Sequence, residues 1–234
     1  MKVDLKLIHH AVVIGATQTG KSTTAVALAQ LQASYQRTCF FINTKGDNQF
    51  NDRWNSKAPI TIEQMSYLLD NQIYGVFEIR PGSLAKDLLE QIEPFIDLLL
   101  EYKRENIDHE VCLFIDEAHM FQSKMSLSTK IKNLVTMGLG LNLFITTIAQ
   151  RPQMINNTIF SQSDFYFLHA LDQNDLKYLW DNRYITSFPA EWLLPATDPK
   201  CSYPFGCDGI SHRLFVQTNP TKPMQEIPLN YGVD

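Results

Sequence analysis

Apolar residues recur along the chain in short unbroken runs: His10 to Ile14, Arg37 to Thr44 (RTCFFINT), Glu110 to Ile115, Leu141 to Ala149 (LNLFITTIA) and Asp164 to Ala170. Runs of this length, without polar alternation, predict strands buried on both faces. Between them the spacing becomes helical. Ser22–Ala33 mixes small with long apolar residues. A helix capped by Ser83 carries Leu84, Leu88, Ile92, Phe95, Ile96, Leu99 and Leu100 on one face, with Pro94 expected to kink it. Met125–Met137 and Gln173–Arg183 complete the helical set, and Gly138-Leu139-Gly140 ends the former. Pro59–Met65 and Ile73–Ile79 read as further short strands, and Arg80-Pro81-Gly82 as a turn. The polar, Asn- and Asp-rich stretch after Thr44, through Ser56, reads as a surface lid.

Strands alternating with helices predict one three-layer α/β domain with a mainly parallel sheet, whose ligands bind at the carboxyl ends of the strands. Residues 1–185 form the core in this reading. Residues 186–234 are a small extension of the same globular domain, with a possible hairpin across Cys201 to Gln217 and a docking tail from Thr218 onwards.

The first strand breaks into Gly15-Ala16-Thr17-Gln18-Thr19-Gly20-Lys21-Ser22 and runs on through Thr23 into a helix. Strand, glycine-rich loop and helix in this order make a phosphate cradle: the glycines let backbone amides wrap a polyphosphate, and the helix points its free N–H groups at the anion. Lys21 is then placed to neutralise the β- and γ-phosphates of ATP, and the Ser22 hydroxyl to hold Mg²⁺. Ninety residues on, the strand-like run Glu110–Glu117 ends in Asp116 and Glu117. In a site of this kind Asp116 serves the metal and Glu117 polarises the attacking water. Gln150, at the tip of the next strand, is the candidate γ-phosphate sensor.

Composition adds less. The 234 residues are 44% hydrophobic, enough for one core, and 19% charged, with a net charge of −5. Residues 81–110 hold eight carboxylates against Lys86, Lys103 and Arg104, whereas residues 118–163 hold none and carry Lys124, Lys130, Lys132 and Arg151. A polyanion would prefer the latter stretch. The acids after Gly82 read as a solvated helix surface. Cys39 and Cys112 fall in predicted strands, and Cys201, Cys207 and His212 lack the spacing of a zinc site, so neither disulfides nor structural zinc are expected. No apolar stretch is long enough to span a bilayer, which points to a soluble intracellular protein.

Ala118-His119 completes the tetrad DEAH, found in one helicase superfamily. Those helicases need two motor domains, for which the 118 residues after Asp116 are too few, so His119 is read as a helix-start or interface residue.

Four stretches carry a resemblance to the HerA/FtsK superfamily of ring-forming, ATP-driven DNA translocases: GATQTGKS (15–22), CLFIDEAH (112–119), GLGLNLFITTIAQRP (138–152) and SDFYFLHALDQNDLKYL (163–179). Without the barrel or membrane segments of cellular members, the chain looks most like the genome-packaging ATPases of tailless double-stranded DNA viruses with internal membranes. The resemblance implies an Mg²⁺-dependent ATPase working as a homo-oligomeric ring, a hexamer, on double-stranded DNA gripped through its phosphates. It implies a capsid or vertex partner and a location in the host cytoplasm or at the virion vertex. Lys124 and Lys130 become pore candidates. Members often place an arginine in the glycine-rich turn, reaching the neighbour's ATP. Here that turn has Leu139, leaving Arg151, Arg183 or Lys132 to complete the site. An ATPase powering protein export or virion assembly, a HerA-like cellular translocase and a slow nucleotide switch are the other readings.

Overall fold

The computed structural model describes residues 6, 8–44, 58–81, 88–120, 127–185, 191, 200, 214–218 and 224–227. Eight strands form one sheet in the order β3-β2-β4-β5-β1-β6-β7-β8. They are β1 (Ala11–Ile14), β2 (Thr38–Ile42), β3 (Gly75–Ile79), β4 (Val111–Ile115), β5 (Leu143–Ala149), β6 (Phe165–Leu168), β7 (Leu214–Thr218) and β8 (Gln225–Ile227). β1 to β6 run parallel, and β7 and β8 are antiparallel. The fold is the three-layer α/β architecture expected from the strand pattern.

Alternation explains why both strand faces are apolar. Val12 and Ile14 of β1 join a core with Phe40, Ile42, Leu113 and Ile115, while Ala11 and Val13 face a second core with Phe41, Phe114 and Phe167. α1 (Lys21–Ser34) covers the second face through Ala25, Val26, Leu28 and Ala29. The first face takes α2 (Ile62–Asp70), α3 (Leu88–Glu105), α4 (Thr129–Met137), α5 (Asn157–Gln162) and α6 (Gln173–Asp181). A strand with water on neither side turns apolar side chains to both layers, hence the nearly continuous runs, interrupted by buried Thr38, Thr146 and Thr147.

Several expectations need correction. Pro59–Met65 is not a strand: Thr61 caps α2, its Oγ1 accepting from the Gln64 N–H (3.3 Å) while the Gln64 side chain accepts from the Thr61 N–H (2.8 Å). This reciprocal capping box satisfies two helix-end donors, and Met65, Leu68 and Leu69 then fall on one buried face. The helix expected around Pro94 is present as the 18-residue α3, with Pro94 inside it. Its acids are not simply solvated: Glu93 and Asp97 lie 3.2 and 2.6 Å from Lys130 Nζ of α4. β8 pairs with β7 of its own chain, so the stretch after Thr218 is in part an edge strand of this sheet and not wholly a free arm. The proposed lid, the Ser83 cap and most of the hairpin from Cys201 lie outside the described residues.

His10 ties the layers together. Its Nδ1 accepts from the Ile145 N–H (3.1 Å), so Nε2 carries the proton and donates to Val135 O (3.0 Å). Burial lowers its pKa to about 4. The unfolded chain therefore binds this proton more readily than the fold does between pH 6.5 and 4, and stability, full above pH 6.5, falls as pH drops through that window. His10 alone is expected to cost roughly 2 kcal/mol between pH 7 and 5. Urea unfolding of wild type and His10→Gln at both pH values measures it: the variant loses this share of the pH dependence.

Candidate nucleotide-hydrolysis site

The carboxyl ends of β1, β5 and β4 lie side by side, because β5 is inserted between the other two. That order sets Gln150, just past β5, between the loop that follows β1 and the acids that follow β4.

Gly15 donates to Ala149 O (3.3 Å) and Ala16 to Ala170 O (2.7 Å), pinning the loop to the ends of β5 and β6. A side chain at Gly15 has no room: a Cβ would stand 2.4 Å from His169 Cβ and 2.8 Å from Thr19 Oγ1. Gly20 has φ 96°, a conformation open to glycine, and Gln18 turns the loop with φ 63°. Ala16, Thr17 and Gln18 are exposed at the crest, while Thr19 is buried, its Oγ1 donating to Ala16 O (2.8 Å). His169 Nδ1 donates to Thr19 O (2.8 Å) from the end of β6. Lys21, buried, donates through Nζ to Ala16 O (2.7 Å), which aims its ammonium along the inside of the loop. Ser22 and Thr23 stand half-buried in the first turn of α1.

Asp116 and Glu117 are 1% and 3% exposed, far more enclosed than carboxylates that merely end a strand at the surface. Glu117 has φ 46°, a left-handed backbone that costs a non-glycine residue about 1 kcal/mol and re-aims its side chain relative to Asp116. Gln150 Nε2 donates to Glu117 Oε1 (2.9 Å), and Thr17 Oγ1 donates to Gln150 Oε1 (3.3 Å). A continuous line of side chains thus joins the crest of the loop to the second acid. Neither Thr17 in this link nor His169 behind the loop carried a spacing signal in the sequence; both follow from which strands neighbour β1.

The arrangement fits a nucleoside triphosphate and Mg²⁺: a glycine-bearing loop held in shape by close packing behind Gly15, a buried ammonium, and a hydroxyl with a carboxylate as the hard oxygen donors Mg²⁺ takes. No group of three or more His, Cys, Asp or Glu that could hold a metal forms among the described residues. Cys39 and Cys112 are free and buried, and Cys201, Cys207 and His212 lie outside the described residues.

The remaining basic candidates are dispersed. Arg151 is held by Asp172 (2.8 Å) and by Asp175 (3.1 to 3.2 Å), which ties the tip of β5 to the start of α6. Burial pushes the Asp175 carboxyl up, against the pull of Arg151. Lys130 is engaged with Glu93 and Asp97. Lys132 is exposed on α4, Arg183 is exposed in a left-handed turn after α6 (φ 60°), and Lys124 lies outside the described residues. The turn with Leu139, 50% exposed, stands at the amino end of β5, about 20 Å from Gln150 for a seven-residue strand.

No protein-family model matches the chain, and no curated protein matches it in sequence. Solved structures match its fold. The genome-packaging NTPase B204 from Sulfolobus turreted icosahedral virus 2, in complex with ATP-gammaS, aligns with a TM-score of 0.66 at 12% identity over 96% of this chain and 98% of that one. The conjugation coupling protein TcpA of pCW3, with ATPgS, aligns at 0.57 and 13% identity over 97% of this chain and 61% of its own. EssC (ATPases 2 and 3) from Geobacillus thermodenitrificans aligns at 0.52 and 12% identity over 97% of this chain and 40% of its own. The chain shares the three-layer α/β fold of these structures.

Proposed function

We propose that this chain is an Mg²⁺-dependent ATPase that moves double-stranded DNA and packages a viral genome into a preformed capsid, acting as a ring of identical subunits. The observation that carries the ATPase reading is the hydrogen-bonded line Thr17–Gln150–Glu117, which connects the phosphate cradle to a buried base. The near end-to-end match to the packaging NTPase favours that task over the others.

In this reading the loop amides and Lys21 take up charge on the β- and γ-phosphates, and Ser22 and Asp116 hold Mg²⁺, which supplies further charge neutralisation when bound. Glu117 draws a proton from the attacking water. Gln150, bonded to both sides, registers whether the γ-phosphate is present. DNA contact shifts from Lys130, whose charge is answered by Glu93 and Asp97, towards Lys132 and Lys124. Among the described residues no helix is long and apolar enough to cross a membrane.

ATP turnover with and without duplex DNA tests the reading. Stimulation by duplexes of unrelated sequence is expected, fading as salt rises from about 50 to about 200 mM because phosphate contacts release counterions. Turnover indifferent to duplex at the lower salt would remove DNA from the proposal and leave an ATPase with another load.

A further inference from the structure

Gln150 stands half-buried just past the end of β5, where the sheet ladder no longer fixes the backbone. Its side-chain bonds run to Thr17 and Glu117, the groups nearest to where the γ-phosphate and the attacking water would sit. Those bonds rearrange when nucleotide enters, so they cannot also hold residue 150 in place. The next residue supplies the hold. Arg151 has extended backbone and lays its guanidinium on the first turn of α6. Nε meets both carboxylate oxygens of Asp175 (3.2 Å each), and one terminal nitrogen reaches Asp175 Oδ1 (3.1 Å) and Asp172 Oδ2 (2.8 Å). A fork of this kind fixes direction as well as distance. The receiving acids are fixed in turn: Asp172 caps α6, its Oδ1 accepting from the Asp175 N–H (2.7 Å), and Asp175 is buried.

These contacts close a circuit. From Thr17 it passes to Gln150, crosses from Arg151 to Asp172, follows the chain back to Ala170, and returns through the Ala170 carbonyl to Ala16, the neighbour of Thr17. The loop crest, the tip of β5 and the start of α6 are thus three sides of one frame. We propose that Arg151 is a positioning residue for Gln150: it clamps the tip of β5 to α6, so that the Gln150 side chain keeps its aim while it exchanges partners at the γ-phosphate. The proposal rests on the ATPase reading above. It sets Arg151 to work within its own subunit, in place of the reach to a neighbour's ATP that the sequence left open to it.

The test uses the full chain with Arg151→Ala, Asp175→Asn, Gln150→Ala and the double variant Gln150→Ala/Arg151→Ala. The readouts are kcat, KM for ATP, and affinity for a non-hydrolysable ATP analogue. Arg151→Ala is expected to lower kcat roughly tenfold to a hundredfold, the usual consequence of a misplaced reacting group, with KM and analogue affinity within about threefold. Asp175→Asn, which breaks the fork from the other side, is expected to reproduce much of that loss; an arginine serving a neighbour's site would be released by it and lose nothing. Added to Gln150→Ala, Arg151→Ala should cost nothing further. Should truncation unfold the turn, Arg151→Met keeps the stem without the fork and makes the same comparison. An unchanged kcat in Arg151→Ala, a fall in analogue affinity as large as the fall in kcat, wild-type kcat in Asp175→Asn, full activity in Gln150→Ala, or an additional loss in the double variant overturns the positioning role while leaving the ATPase reading intact. A wild-type protein without turnover overturns both.

Discussion

Replacing Glu117 with Gln is expected to reduce ATP turnover by roughly a hundred- to ten-thousandfold, the range lost with a general base, while ATP still binds. The amide is nearly isosteric with the carboxylate, and its oxygen still accepts from Gln150 Nε2. The loop, Lys21 and the Thr17–Gln150 bond stay where they are. What disappears is the basic oxygen, so the loss falls on kcat and not on affinity. Single-turnover hydrolysis alongside equilibrium binding of ATP separates the two. A variant that retains more than about a fifth of wild-type kcat would show that another group activates water. Loss of binding together with turnover would instead mean that the left-handed turn at Glu117 is needed to build the site.

How far the sequence foretold this site depends on whether a feature was local. The cradle was legible because every requirement lies within a dozen residues: an apolar strand, glycines where the backbone must turn, a lysine and serine opening a helix. The paired acids were legible for the same reason. The relation between them was not, since it depends on β5 being inserted between β1 and β4, and strand order is set by long-range packing that no spacing records. Gln150 could be suspected from its place at a strand tip. Its bonds to Thr17 and Glu117, and the support that His169 gives to Thr19, could not.

The errors have physical causes of the same kind. The short run Pro59–Met65 suggested a strand, but the Thr61–Gln64 capping box and the burial of Leu68 and Leu69 one turn on made a helix. That signal is a local one. Lys130, by contrast, sits in a stretch without acids and looked available to a polyanion; its partners are Glu93 and Asp97, more than thirty residues away, on the helix that packs against its own. The charge asymmetry along the chain is thus partly cancelled in space.

The second large effect concerns Gly15, for which the sequence offered the right residue and only half of the reason. Glycine was expected there so that the backbone could approach a polyphosphate. In the fold the tighter constraint comes from the protein side, where an added Cβ would meet His169 Cβ at 2.4 Å and Thr19 Oγ1 at 2.8 Å. Neither obstacle is the far end of a flexible chain: His169 is fully buried and bonded to Thr19 O, and Thr19 Oγ1 is bonded to Ala16 O. Gly15→Ala must therefore push the loop off β6, breaking the Ala16-to-Ala170 bond and moving the carbonyl that aims Lys21. A stability loss of roughly 1–3 kcal/mol is expected from overpacking, accompanied by a loss of ATP affinity much larger than the stability change alone would produce. Gly140→Ala is the matched control, because nothing lies within 4 Å of a Cβ there. Thermal unfolding and ATP binding on both variants check the prediction. Equal behaviour of the two would mean that the loop yields at Gly15 without cost, and that the contact with His169 does not hold the cradle in shape.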